Sequence, residues 1–273
     1  MTESEINTRI AETRKHISDL IDEETHVDED IKSRMRAYIR HIISTSFGFR
    51  SLSRLFQFSA NSDLEKSVDS IMEEFKISVY DITEKRVLRS KTLSENRNNE
   101  KIDDAIILGF VFGKLGEYTF KERLNRYSFQ IKMEIEAAIA SGMFEGMNKN
   151  NILDDIMKYA NNPYLNPSIR EAIKKGGFSS ARIKSQGITY GTGTYTSGMA
   201  NLKRIELTAV AQGYNYSNHR IWGNNKNIIG YYAFRNSSYP CELCDSNIGF
   251  HNMNDLTLPV HGNCQCGAFP VYK

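Results

Sequence analysis

All four cysteines of this 273-residue chain lie between positions 241 and 266, with none in the first 240 residues. Cys241 and Cys244 form Cys-Glu-Leu-Cys, and Cys264 and Cys266 close the run His261-Gly-Asn-Cys-Gln-Cys. A C-x2-C followed at short distance by a second close set of Cys and His is the spacing of a zinc site. Zn2+ prefers tetrahedral sulfur and nitrogen donors, and two ligands two residues apart grip it from one tight turn. Pro240 and Gly249 flank the first pair, and Pro259, Gly262 and Gly267 flank the second. Such residues favour turns over regular helix or strand. Five candidates for about four positions leave one as a spare or as a support for a ligand. Two disulfides and free thiols are the competing arrangements. Against disulfides, C-x-C is cramped for bridging, and a chain of this size needs no stapling. The expectation is a structural zinc ion held by four of Cys241, Cys244, His261, Cys264 and Cys266.

Length suggests one or two domains, and a 40% hydrophobic content supplies a core. The net charge of +2 does not by itself demand nucleic acid. No apolar run reaches the ~18 residues of a membrane span; the longest, Ala105 to Phe112, is interrupted by Gly109. The acidic, polar Met-Thr-Glu-Ser-Glu-Ile start is unlike a secretion signal, so the chain is expected to stay in the cytoplasm where it is made unless an assembly carries it out.

Residues 1–24 read as an amphipathic helix, with Ile6, Ile10, Ile17, Leu20 and Ile21 on one face. Glu23-Glu24 and Asp28–Asp30 are expected to break it before a second helix carrying Ile31, Met35, Ile39 and Ile42. The cations Arg34, Arg36, Arg40, His41, Arg50 and Arg54 there read as a solvated or subunit-facing surface. Ser62-Asp-Leu-Glu65 is a capping-box pattern. Ile77–Tyr80 is strand-like, residues 94–100 read as a loop, and 101–143 read as helix. Within that stretch Gly109, Gly113 and Gly116 suggest close helix approach, and Glu134 and Glu136 read as exposed helix positions. A short helix over 152–160 follows. Asn161-Asn-Pro163 and Asn166-Pro167 then mark the clearest boundary. Beyond it, a helix over 168–175 stops at Gly176-Gly177, and Gly187–Gly198 reads as a hairpin or loop. A helix from Met199 to Trp222, a strand at Ile228–Phe234 and a last strand at Ala268–Tyr272 complete the reading. The fold expected is α+β: a helical region over 1–160 and a small α+β domain over 165–273 ending in a Cys/His knot.

Residues from about 165 onward resemble the phage Mu F-like (MuF) domain of minor head proteins. The likeness lies in the order Arg204-Ile-Glu206 on a helix, the strand Ile228–Phe234, Cys241-Glu-Leu-Cys244, and Leu258-Pro259-Val-His261-Gly-Asn-Cys264-Gln-Cys266. Gly262 stands where the family usually has Pro, Gln265 where it has Arg, and Ser237 and Ser238 where an Asp is common. The ligand types are unchanged. The resemblance implies a structural protein of the virion, associated with portal and capsid proteins and taking part in head morphogenesis. It places the chain in the host cytoplasm during assembly and then in the virion interior, packaged or ejected with DNA. It implies no catalytic activity. Only seven residues follow Cys266, so no appended toxin domain is expected.

Two other readings compete. From Gly177 onward, Lys and Arg number eight and Asp and Glu four, and Tyr214, Tyr216, His219, Arg220 and Trp222 set aromatics beside bases. That is a feature of nucleic-acid-binding zinc modules. Arg204, Tyr195-Thr-Ser197 and Glu206 loosely resemble an ADP-ribosyltransferase triad, but their order and crowding match it poorly. A thiolate-rich site is the closed, structural kind, so no enzyme is expected. Arg204 and Glu206 are read instead as a buried ion pair anchoring their helix.

Overall fold

The computed structural model describes residues 1–49, 56–174, 197–260 and 264–273. The chain is mostly helical and carries a small three-stranded antiparallel sheet near its C-terminus. Among the described residues no helix is long and apolar enough to cross a membrane.

Helix α1 runs uninterrupted over Glu3–Gly48, so the acids at 23–24 and 28–30 do not break it. Asp and Glu each cost a helix only a fraction of a kcal/mol, roughly 0.7 at most. The apolar spacing runs straight through them: Ile17, Leu20, Val27, Ile31, Met35, Ile39 and Ile42 are all buried. Helix α2, Ser62–Asn98, absorbs both the strand-like Ile77–Tyr80 and most of the expected 94–100 loop. Its cap is one residue earlier than the capping-box reading, because Asn61 Oδ1 accepts from the backbone N–H groups of Asp63 and Leu64 at 2.9 and 3.0 Å.

The expected helix over 101–143 is three elements. Helix α3, Asp104–Val111, is capped by Asp103, whose Oδ1 accepts from Ala105 N. Strands β1, Lys114–Leu115, and β2, Tyr118–Thr119, pair as a tight hairpin. Gly116 takes φ +67° at the first position of its two-residue loop, the place where a primed turn requires glycine. Of the three glycines, Gly109 lies within α3, Gly113 in the bend before β1, and Gly116 in the hairpin turn. Helix α4 covers Phe120–Phe144, α5 Lys149–Lys158, α6 Pro167–Lys174 and α7 Gly198–Asn224. Gly176-Gly177, Arg50, Arg54, Tyr195 and most of the Gly187–Gly198 stretch lie outside the described residues.

Two compact units interleave along the chain. One comprises Met1–Glu29, Asp81–Phe120 and Arg204–Lys273, the other Asp30–Tyr80 and Lys121–Lys203. The second unit is wholly helical at its centre, where Ile39, Ile42, Val68, Phe75, Ile131, Ile139 and Ile152 are buried. Glu134 and Glu136, expected on the surface, are 7% and 2% exposed. Glu136 accepts from Phe58 N at 2.7 Å, and Glu134 accepts from Gly198 N at 2.8 Å. Each carboxylate satisfies a backbone donor that burial would otherwise strand. Arg34, Arg36 and Arg40 are exposed, as read, with Arg36 paired to Asp154 at 2.7 Å.

The first unit holds the sheet. Strands β3 (Ile228–Phe234), β4 (Gly249–Asn252) and β5 (Gly267–Tyr272) lie in the order β4-β3-β5, both pairs antiparallel. Strand alternation sends neighbouring residues to opposite faces. Tyr232, Phe234 and Phe269 pack on Ile6, Ile10, Ile17 and Ile21 of α1. Tyr231, Ala233 and Ala268 pack on Ile221 and Trp222 of α7 and on the cysteines. Arg97, near the end of α2, ties this unit together. It donates to Tyr214 Oη, Thr13 Oγ1 and the Ala268 carbonyl, and its guanidinium lies over the Trp222 ring.

Gly230 sits where a side chain cannot. A Cβ there would stand 2.3 Å from the His251 carbonyl and 2.6 Å from the Phe250 ring. Gly230→Ala must push β4 away from β3, with an expected loss of roughly 1–3 kcal/mol. A thermal melt checks it, the midpoint falling by several degrees.

Candidate metal centre

The two cysteine motifs enter the centre from different elements. Cys241 precedes helix α8, Glu242–Asp245, and Cys244 lies in that single turn. The turn is closed by Asp245 N donating to the Cys241 carbonyl at 2.9 Å. Cys264 and Cys266 lead into β5, whose pairing with β3 runs from Phe234↔Gly267 to Ile228↔Tyr272. Gly267 fits closely at that entry, where a Cβ would meet Ile17 Cδ1 at 2.2 Å and the Phe234 ring at 2.9 Å.

The sheet thus brings together sulfurs that are twenty residues apart in sequence. The Sγ atoms of Cys244, Cys264 and Cys266 lie within 4.8 Å of one another, with Cys244 and Cys264 buried. Cys244 Sγ and Cys264 Sγ are 4.0 Å apart. All four cysteines are free thiols, so neither disulfide pairing is formed. Cys241 is half-buried, packs on the same cluster and hydrogen-bonds to Cys244. His261, the fifth candidate, lies outside the described residues. Three of the four described candidates, Cys244, Cys264 and Cys266, therefore converge on one spot, and Cys241 packs beside it without joining that group.

The surroundings are dry and aromatic. Trp222, Tyr231, Leu258 and Ala268 form the apolar wall. The Tyr231 hydroxyl donates to the Asp255 carbonyl and accepts from Thr257 N at 3.1 Å, pinning the loop that returns to Cys264. His251 stacks on Tyr231 at 5.3 Å, and its Nε2 meets the Asn247 carbonyl at 2.9 Å. It holds the segment between α8 and β4 and is not part of the sulfur cluster.

Burial pushes the Cys244 thiol up to about 12, with its hydrogen bond to Cys241 and the nearness of Cys264 acting the same way against an opposing hydrogen bond with Cys266. Hydrogen bonding to Cys264, then burial, also raises Cys266 well above the ordinary thiol. Glu24 on α1 is pushed up to about 8, by burial first and by Cys264 second. Packed sulfurs this close disfavour several negative charges unless a cation compensates them. A divalent ion held by these thiols would supply that charge, and its binding would displace their protons. Cys244, Cys264 and Cys266 are placed so that they could hold a metal ion.

Arg204 and Glu206 both lie on α7, with Glu206 1% exposed. Arg235, which no motif singled out, bonds across the α8 segment. Its role emerges only once β3 and α8 are placed together.

No protein-family model, curated protein or solved structure matches this chain.

Proposed function

We propose that the chain is a minor head protein of a phage, a zinc-stapled structural component associated with the portal and the capsid interior. The observation that carries this reading is the convergence of Cys244, Cys264 and Cys266 into one buried sulfur cluster. It gives the spaced cysteines of the MuF-like motif a common physical purpose. Among the described residues the clustered donors are sulfurs, and with an apolar wall they suit a closed structural ion better than an open catalytic one. The ion staples α8 to the start of β5, fixing a small module that could not hold those turns alone. Around it Tyr239, Leu243, Ile248 and Phe250 are 79%, 61%, 46% and 49% exposed. Large apolar side chains of this kind are what protein interfaces bury. The centre thus serves docking, in the host cytoplasm during assembly and then inside the particle.

Co-expression with a portal protein from the same genome tests this. The expected result is a stable complex that survives size-exclusion chromatography, with zinc bound to the chain. Absence of any complex, together with DNA binding that weakens steeply with salt, would move the function to the nucleic-acid-binding alternative. Release of nicotinamide from NAD would move it to the ADP-ribosyltransferase alternative.

A further inference from the structure

One side chain closes the segment that carries the first cysteine pair. Arg235 stands one residue past β3 and is 19% exposed. Its Nη1 donates to Asp245 Oδ1 at 2.6 Å, and its Nη2 donates to the Tyr239 carbonyl. Tyr239 lies two residues before Cys241, and Asp245 lies one residue after Cys244. The guanidinium therefore fastens both ends of the stretch that presents these two thiols. Between the anchors, α8 is only four residues long. A single turn has no stability of its own, because nucleating a helix fixes several residues for one hydrogen bond. The shape of the loop must come from outside it.

We propose that Arg235 is a positioning residue of the metal centre, holding the Cys241–Cys244 loop in the shape that receives a divalent ion by bridging Tyr239 and Asp245. The inference rests on the zinc reading above and adds which residue organises the site. Two features of arginine matter. Its donors are held in a rigid planar fork, so one side chain reaches two acceptors at fixed spacing. Its contact with Asp245 is a charge-assisted hydrogen bond, stronger than a neutral one. A lysine ammonium keeps the charge but is a single point on a flexible stem. Groups that orient a metal's ligands from behind typically set affinity by about 10- to 100-fold.

The experiment is zinc competition against a chromophoric chelator on the full chain, comparing wild type with Arg235→Gln and Arg235→Lys. Cobalt loading of the same proteins reads the donor set through its thiolate absorption band. Both variants are expected to bind zinc about 10- to 100-fold more weakly. The cobalt band at saturation should be unchanged, since no sulfur has been removed. Zinc affinity within twofold of wild type in Arg235→Gln would overturn the proposal. So would full rescue by Arg235→Lys, which would leave charge alone as the cause. Asp245→Asn cuts the charge at one anchor from its exposed side, and it carries the test if Arg235→Gln does not fold. It should weaken zinc several-fold, and an unchanged affinity would again overturn the clamp. A wild-type chain that binds no zinc removes the zinc reading together with the clamp, whereas wild-type binding with unaffected variants removes the clamp alone.

Discussion

Cys264→Ser is expected to abolish stoichiometric zinc and to unfold the segment from β3 to β5 in the full chain. Cys264 is 5% exposed, and its sulfur stands among those of Cys244 and Cys266. Serine is a poor zinc ligand and leaves a buried hydroxyl without the ion. Structural zinc contributes on the order of 10–16 kcal/mol of apparent binding free energy in small folds. Whole domains are stable by only about 5–15 kcal/mol. Losing the ion therefore removes most of what keeps α8 and β5 in register, and a chelator should produce the same change in wild type. Elemental analysis reads the zinc, and amide exchange across residues 228–272 reads the unfolding. Normal protection in the mutant would mean that the cluster is not a structural centre. The pH dependence follows from the raised thiols. With Cys244 held near 12 without metal, each ligand must shed a proton to bind, so zinc affinity rises with pH and metal is lost on acidification.

The centre was legible because its chemistry is local. Cysteine spacing, flanking glycines and prolines and the strand Ile228–Phe234 all lie within forty residues, and the folded chain brings Cys244, Cys264 and Cys266 together there. Long-range consequences were not legible. Acidic clusters in α1 read as breaks on propensity alone, which the burial of Val27 and Ile31 overrides. Glu134 and Glu136 looked exposed because helical spacing says nothing of the backbone N–H groups of Gly198 and Phe58, which come from distant segments. Strand β4 escaped because Gly249–Asn252 has neither alternation nor β-branched residues, and it forms by pairing with β3. Arg235 carries no motif at all, and its partners Tyr239 and Asp245 are ordinary residues until the loop closes.

Glu95→Ala is the second change expected to be severe. The expected loop over 94–100 is instead the end of α2, and Glu95 is 3% exposed there. Lys91, 8% exposed at its side chain, donates to Glu95 Oε1 at 2.8 Å and to Asp104 Oδ1 at 2.7 Å. Lys101 and the Ile102 backbone N–H add two more donors to the same carboxylate, at 3.0 and 2.9 Å. Removing Glu95 leaves a buried ammonium with only the exposed Asp104 as partner and frees the chain from α2 to α3. Breaking a buried pair from one side costs about 3–5 kcal/mol. Burial alone would raise Glu95, but its bonds from Lys91, Ile102 and Lys101 hold it below the ordinary carboxylate value. Its contribution is therefore full above the unfolded value of about 4.3 and is lost as pH falls through the depressed folded value. Burial works against charging Lys91, yet Asp104 and Glu95 carry it above its ordinary value. That contribution is present below about 10.4 and fades as pH rises through the raised folded value. Thermal midpoints measured from about pH 3 to 7 should then rise steeply with pH in wild type and less so in Glu95→Gln, which has no carboxylate to protonate. Parallel curves for the two proteins would show that other carboxylates govern the acid limb.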